Sequence, residues 1–214
     1  MSDCLRDRGL SDFSKDLAAR TPVPGGGGAS AYVGALGAAL ASMAGAFTDD
    51  RGVAGCEGGA GCERRLADIL READEARVTL VGLVDEDAAA FLGLSRAYKL
   101  DRAEPGRAEA IEAATRRATE VPLEIMRKTC RVVELSEELE RIANPRLISD
   151  VGCAALLAAS AIEAASLSVL INTSSMADRT RAEAVEGECD HMVEEYVTRA
   201  RDVARRVSDR VRGR

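Results

Sequence analysis

The most constraining feature of this sequence is residues 21–48, TPVPGGGGASAYVGALGAALASMAGAFT, which contain no charged residue. Pro22 and Pro24 restrict the backbone ahead of four consecutive glycines, which predicts a tight loop. From Ser30 to Phe47, larger apolar residues recur at spacings of three and four among Ala, Gly and Ser, which is a helical pattern. We expect this thin, uncharged helix at the centre of a bundle, where other backbones pack close to it.

The glycine run is also a candidate binding site. Gly25, Gly26, Gly27 and Gly28 leave backbone N–H groups uncovered at the start of a helix, where anionic or polar ligand atoms are best received. A hinge is the structural alternative. A P-loop is excluded because no Gly-Lys-Ser/Thr follows the glycines.

A membrane span is the other alternative for this stretch. It is long enough to cross a bilayer, and Gly34, Ala38 and Ala41 give the small-residue spacing of membrane helix contacts. However, Ala, Gly and Ser contribute little insertion energy, and no positively charged segment lies close on either side. We therefore expect no association with a membrane.

Composition bounds the fold and the partners. The 214 residues are enough for one domain, predicted over 1–214. With 46% hydrophobic residues, 3% aromatic residues and no Trp, the core is predicted to be aliphatic and helical. The net charge of −7 argues against nucleic acid as a partner. Residues 1–20 lack the apolar segment of a signal peptide, so a cytoplasmic protein is expected.

The remaining segments also show helical periodicity, and none shows sustained strand alternation. We predict an all-α bundle of about six helices with two central Ala/Gly-rich helices. Pro122 is expected to kink or restart the helix in which it lies. The other predicted helices are Leu10 to Arg20, Glu63 to Lys99, Pro105 to Ile142, Asp150 to Met176 and Asp178 to Val211, and Asp49 to Gly61 is predicted to be a loop.

One carboxylate lies on an apolar helical stripe. Asp87 shares the stripe of Leu80, Val84, Phe91 and Leu94, whereas Asp85 and Glu86 point elsewhere. A carboxylate on a core-facing stripe must be paired or protonated, so its pKa is expected to be displaced. Asp87 is a candidate acid/base group, and a structural bond to a neighbouring helix end is the equal alternative.

The second Ala-rich helix carries two further polar candidates. Asp150 and Asn172 lie close to one line along it, with Ser168 between them. Asp150 near the helix start has an ordinary explanation in the helix dipole. Asn172 is harder to explain, because a buried amide needs partners.

The cysteines and the single histidine indicate no strong metal site. The six cysteines are scattered, and Cys130 and Cys153 are expected in the core. Cys56 and Cys62 flank an exposed-looking loop without a CxxC motif. Glu188 and His191 form one ExxH step, whereas di-iron bundles need two, so no metal is expected and these two residues are predicted on a solvated face.

Several spaced segments resemble one family. They are PGGGGASAYVGALGAALASM, DEDAAAFLGLSRAYKL, TEVPLEIM and NPRLISDVGCAALLAASAIEAASLSVLIN. In this order they are similar to the cyclodeaminase/cyclohydrolase family of folate enzymes, and they cover most of the chain. The resemblance implies that Asp87 is catalytic, that Asp150 and Asn172 bind substrate, and that the protein is a homodimer.

The sequence also departs from the family pattern. Gly28 replaces the usual Ser at the start of the helix, with Ser30 two residues later as a substrate-binding candidate. Ser168 stands where the family usually has Asn. A basic segment is replaced by DDRGVAGCEGGAGCERR, which leaves Arg51, Arg64 and Arg65 to hold an anionic folate tail.

The resemblance implies hydrolysis of 5,10-methenyltetrahydrofolate to 10-formyltetrahydrofolate. Tetrahydrofolate is then the substrate, and no cofactor is expected. The chain length, without a formiminotransferase domain, favours this cyclohydrolase reaction over release of ammonia from 5-formiminotetrahydrofolate. An inactive helical interaction protein that has kept only the scaffold is the alternative from a different class.

Overall fold

The computed structural model describes residues 4–48 and 60–214, and these contain helices and no strands. The all-α prediction is confirmed. Two 3₁₀ turns, Leu5–Asp7 and Pro145–Leu147, precede α1 and α5. The helices are α1 (Leu10–Leu17), α2 (Gly26–Ala46), α3 (Ala60–Tyr98), α4 (Arg107–Ile142), α5 (Ile148–Thr173), α6 (Arg179–Met192) and α7 (Thr198–Val211), with a π-helical turn, Val193–Val197, joining the last two.

Helix α2 lies at the centre, packed against α3, α4 and α5. Its glycines are the points of closest approach. A Cβ atom at Gly34 would lie 2.8 Å from Thr129 Oγ1 of α4, and one at Gly37 would lie 3.0 Å from the Ala154 carbonyl of α5. The prediction of a thin central helix is confirmed.

Both α3 and α5 run antiparallel to α2. On α3, Leu70 faces Gly45 and Val84 faces Gly28. On α5, Ala154 and Ala158 face Gly37, whereas Ser168 and Asn172 line one cleft together with Gly26. The later residues of α5 therefore lie beside the start of α2. The second half of α3 and the end of α5 therefore meet at the N-terminus of α2.

The predicted glycine loop is shorter than expected, because α2 begins at Gly26. Among the described glycines only Gly106 and Gly213 have positive φ, so the glycine run is compatible with a regular helix. The first N–H groups of a helix have no partner within it. In α2 these groups belong to the glycine run, which forms the first turn. The preceding peptide bond, between Val23 and Pro24, is cis.

Helix α4 does not restart at Pro122, which was one of the two outcomes expected there. Pro122 is buried inside α4, which continues from Arg107 to Ile142. Buried neighbours on both sides, among them Val121 and Leu123, hold the helix in place by tertiary packing, which routinely overrides local propensity. The predicted last helix is instead divided by the π-helical turn between α6 and α7.

Small residues of the apolar helices face inward and several large ones face outward. Two stretches, Gly26–Ala46 and Pro145–Thr173, are long and apolar enough to cross a membrane by length and composition, and half of each apolar window is buried inside the protein.

Cys153 is exposed on α5, contrary to the prediction, whereas Cys130 is buried. Cys56 and the side chain of Cys62 lie outside the described residues.

Candidate functional site

A cleft of about 280 Å³ lies where the start of α2 meets α3, α4 and α5. Its volume is close to the lower end of the range for small-molecule sites. Among the residues that line it, Asp87 is the single ionisable group. The lining residues are Pro22, Val23, Gly25, Gly26, Gly27, Asp87, Phe91, Ala118, Ser168, Ile171 and Asn172.

The Asp87 carboxylate is held at the N-terminus of α2. Its Oδ2 accepts a hydrogen bond of 2.8 Å from the backbone N–H of Gly28. A Cβ atom at Gly27 would overlap the same carboxylate. Two glycines of the run therefore have separate roles: Gly28 donates to Asp87, and Gly27 leaves the space in which its carboxylate lies.

The environment of Asp87 displaces its pKa. Burial, the larger effect, raises the pKa of this carboxyl above its usual value, and the hydrogen bond from Gly28 opposes the shift. A raised pKa brings a carboxyl closer to the pH at which it can both take up and release a proton. The predicted displacement of the Asp87 pKa is confirmed.

The helix start offers further donors. Gly25 is the N-cap residue of α2, and its carbonyl accepts a bond from the N–H of Ala29. Gly26 and Gly27 occupy the first turn, where N–H groups have no partner within a helix, and both line the cleft. Their N–H groups can receive polar ligand atoms beside the Asp87 carboxylate.

Asn172 enters the cleft from α5. Its Nδ2 donates a hydrogen bond of 2.8 Å to the Ala118 carbonyl of α4. This bond fixes which end of the amide faces α4. Within residues 4–48 and 60–214, Asn172 Oδ1 has no hydrogen-bond partner, so it can accept a hydrogen bond from a ligand.

The cleft walls are largely apolar. Phe91, predicted on the core-facing stripe, is 45% exposed and forms one wall, whereas Leu80 and Val84 are buried. Phe91 therefore faces the cleft and not the core, although Ala90 beside it is buried. Ile171 forms another wall, and Ser168 adds a hydroxyl.

The remaining predicted site residues lie elsewhere in the chain. Ser30 is buried, and its hydroxyl donates to the Gly27 carbonyl at 2.7 Å, which removes it from the cleft lining. Asp150 lies in the first turn of α5. At 1.5 Å per residue it is about 33 Å from Asn172 along the helix. The structure therefore does not bring Asp150 and Asn172 together within one chain.

The basic residues proposed for an anionic tail also lie away from the cleft. Arg51 is outside the described residues. Arg65 lies near the start of α3, about 33 Å along that helix from Asp87, and its guanidinium donates to Glu138 at 2.6 Å. Arg64 is exposed in the same region.

The ExxH pair lies on the surface, as predicted. Glu188 accepts from Arg127 at 2.7 Å, and His191 is 3.2 Å from Glu195 with a side chain that is 70% exposed. Glu188 is therefore engaged in an ion pair, and both residues lie on a solvated face.

Residues 9–191 match the family described as Formiminotransferase-cyclodeaminase. The chain belongs to this family. The match includes every residue that lines the cleft, and it agrees with the resemblance seen in the sequence.

Three similar proteins illustrate the range of the family. The methenyltetrahydrofolate cyclohydrolase of Methylorubrum extorquens is 36% identical over 178 residues, which is 81% of this chain and 83% of that protein. The formimidoyltransferase-cyclodeaminase of Mus musculus is 32% identical over 92% of this chain, but the match spans only 36% of the mouse protein. The crystal structure of formiminotetrahydrofolate cyclodeaminase from Thermotoga maritima superposes with a TM-score of 0.79 at 27% identity, over 98% of both chains.

Sequence reasoning missed several contributors to the cleft, among them Phe91 and Ala118. The Phe91 wall was assigned to the core, and the Ala118 carbonyl was not considered. A signal for the second was present: Pro122 has no N–H, so the carbonyl four residues earlier lacks its helical donor. Which side chain reaches that carbonyl depends on how α4 and α5 pack.

Proposed function

We propose that this chain hydrolyses 5,10-methenyltetrahydrofolate to 10-formyltetrahydrofolate. The observation that carries the proposal is the placement of Asp87, a carboxyl with a raised pKa, as the single ionisable group among the described residues that line the cleft. The similarity to the Methylorubrum extorquens cyclohydrolase over most of both chains supports this reaction over others.

The chemistry requires one group that exchanges protons. The methenyl carbon lies between two nitrogens that share a positive charge, which the Asp87 carboxylate stabilises in a cleft partly removed from water. As a water oxygen bonds to this carbon, Asp87 takes a proton from the water. The bond from the carbon to N5 then breaks, protonated Asp87 delivers its proton to N5, and the hydroxyl loses its proton as the formyl carbonyl forms. One proton is released in each turnover.

The cleft also suits the rest of the substrate head group. Phe91 and Ile171 provide apolar surfaces for a flat ring. The pterin edge carries donors and acceptors, and Asn172 Oδ1 can accept from it. Water is the only co-reactant, so tetrahydrofolate is the substrate and the reaction needs no redox cofactor.

Cyclodeamination of 5-formiminotetrahydrofolate is the second candidate, favoured by the likeness to the Thermotoga maritima cyclodeaminase over nearly the whole chain. In this reaction N10 bonds to the formimino carbon, and the imino nitrogen takes up two protons, the one lost by N10 and one from Asp87. The bond from the carbon to this nitrogen then breaks, and ammonia leaves. Both reactions place the same carbon beside the same carboxyl. They differ in whether water or N10 is the nucleophile.

We also propose a cytoplasmic homodimer. Uncharged residues at spacings of three or four are exposed along the length of α5, and Leu167 and Ile171 are 67% and 69% exposed. Leu36 and Phe47 add apolar surface at α2. An exposed apolar surface of this extent is typical of an interface, and a twofold dimer would cover it on both copies. The exposed α5 face includes Cys153, Leu156, Ser160, Ala164, Leu167, Leu170 and Ile171.

An antiparallel contact between two α5 helices would give Asp150 a role. It would bring the start of one α5 alongside the end of the other, where Ser168 and Asn172 line the cleft. Asp150 has no hydrogen bond or ion pair within the described residues, so its carboxylate is free to reach across such an interface. We propose that it contacts substrate in the cleft of the second copy.

Two spectroscopic assays test the proposed reaction. The purified protein is added to 5,10-methenyltetrahydrofolate, and the loss of its ultraviolet absorbance is followed against buffer and against Asp87→Asn. In parallel, the gain of the same absorbance is followed with 5-formiminotetrahydrofolate. Acceleration of the first reaction alone supports the cyclohydrolase, acceleration of the second alone supports the cyclodeaminase, and no acceleration of either favours the inactive scaffold.

A further inference from the structure

The Ala118 carbonyl, which accepts the bond from Asn172, has no donor within its own helix because of a proline. In a regular helix the Ala118 carbonyl would accept the N–H of residue 122. Residue 122 is Pro122, which has no N–H, and α4 nevertheless continues as a helix through this position. The Ala118 carbonyl therefore lacks its helical donor, and the proline ring also pushes against it.

Asn172 supplies the missing donor. Its Nδ2 lies 2.8 Å from the Ala118 oxygen, and Ala118 itself lines the cleft. A carbonyl can only accept, so this contact requires the amide nitrogen to face α4. The amide oxygen and the second N–H of Asn172 are then the groups left for a ligand in the cleft.

We propose that Pro122 is a positioning residue, which keeps the Ala118 carbonyl available and thereby fixes the orientation of Asn172 in the cleft. For the ligand that Asn172 reads, this inference rests on the proposed folate reaction. Proline is the least favourable residue in a helix interior, and Pro122 is buried in α4. The proline leaves the Ala118 carbonyl without a helical donor, and this carbonyl then positions Asn172 in the cleft.

The variant Pro122→Ala tests the structural half of the inference. Alanine restores the N–H, which can bond to the Ala118 carbonyl and compete there with Asn172, so we expect the bond from Asn172 to weaken or break. Alanine is also the best helix former, so we expect the variant to fold with a melting temperature within a few degrees of the wild type. In a nitrogen–proton NMR correlation, the Asn172 side-chain amide should change its proton shifts, whereas an unchanged Asn172 amide would overturn the proposal.

The kinetic half uses the same variant. Because Asn172 contacts the pterin and not the reacting carbon, its displacement should raise KM by roughly tenfold, the scale of one hydrogen bond. The value of kcat should change less. Asn172→Leu should give a similar rise, and Pro122→Ala in the Asn172→Leu background should add nothing further. Additive effects of the two changes, or an unchanged KM in Pro122→Ala, would overturn the inference.

A matched control removes a proline that frees no helical carbonyl. Pro105 lies in the exposed segment before α4, and Pro105→Ala should leave both the Asn172 amide and KM unchanged. The NMR measurement needs no turnover. If the wild-type protein proves inactive, the proposed function fails, and the Asn172 spectrum still decides whether Pro122 positions this side chain.

Discussion

The Asp87 carboxylate accepts a hydrogen bond from the backbone N–H of Gly28, 59 residues earlier in the chain, at 2.8 Å. This bond caps α2 from a neighbouring helix, so the structural role expected of such an aspartate is present. The same carboxylate also lines the cleft, and burial raises its pKa. The two roles coincide, and measurements of stability and of activity separate them.

Asp87→Asn should lower turnover by roughly a hundredfold or more, the usual scale of acid/base catalysis. Its stability at neutral pH should be equal to or higher than that of the wild type, because a partly buried charge is removed and the amide oxygen can still accept from Gly28. Stopped assays and thermal melts measure the two effects. A variant that melts lower and turns over normally would make Asp87 a structural cap only.

The control for this variant must come from another position on α3. Asp85 accepts a bond of 2.6 Å from the Leu5 N–H and pairs with Arg6 at 3.4 Å, so its replacement would disturb the N-terminal segment. Glu86 is more suitable, because it is exposed and pairs with Arg117 on the surface. Glu86→Gln should alter neither melting nor turnover.

The pH dependence follows from the raised pKa of Asp87. The base form is lost when the pH falls below this pKa, so the acid limb of kcat/KM should lie above the ordinary aspartate value of about 4. For stability the sign is opposite. A carboxyl whose pKa is raised on folding contributes stability that is present in acid and is lost as the pH rises through the folded pKa. The melting advantage of Asp87→Asn should therefore appear at neutral pH and vanish in acid.

Gly27→Ala and Gly26→Ala form a matched pair. A Cβ atom at Gly27 overlaps the Asp87 carboxylate, whereas one at Gly26 meets nothing within 4 Å. We expect Gly27→Ala to lose most activity and some stability, and Gly26→Ala to retain the fold with a smaller loss. Gly26→Val should block the cleft while leaving helical circular dichroism intact. If all three variants kept the wild-type activity, the glycine run would have no role in substrate binding.

Leu167→Glu tests the interface on the exposed α5 face. A charge in the middle of an apolar interface is unfavourable, so the variant should shift from dimer to monomer in light scattering at micromolar concentration. Val78 is similarly exposed, at 56%, but lies on α3, and Val78→Glu serves as the control. A wild-type protein with the mass of one chain would contradict the dimer.

Mixing two variants tests whether Asp150 acts across the interface. Asp87→Asn and Asp150→Asn homodimers should each be weakly active. A mixed dimer has one cleft in which both carboxylates are intact, so mixing under conditions of subunit exchange should restore activity. Failure to restore activity after exchange would confine the site to one chain.

The sequence by itself determined the helical class, the thin central helix and the partly buried position of the Asp87 carboxylate, because periodicity and residue size act locally along the chain. It also indicated that Asn172 needs a partner. Helix α2 was predicted to begin after the glycines, because helix propensity treats four glycines as a loop. In the structure α2 begins at Gly26, where packing against α3 and the hydrogen bond to Asp87 stabilise its first turn.

Only the tertiary structure decided which polar residues meet. Asp150 and Asn172 share one face of α5, but the rise of the helix separates them by about 33 Å. Ala118 and Asn172 are 54 residues apart and touch, because α4 and α5 pack side by side and Pro122 leaves a carbonyl unpaired between them. Contacts of this kind depend on how helices pack in three dimensions, which local patterns along one chain do not encode.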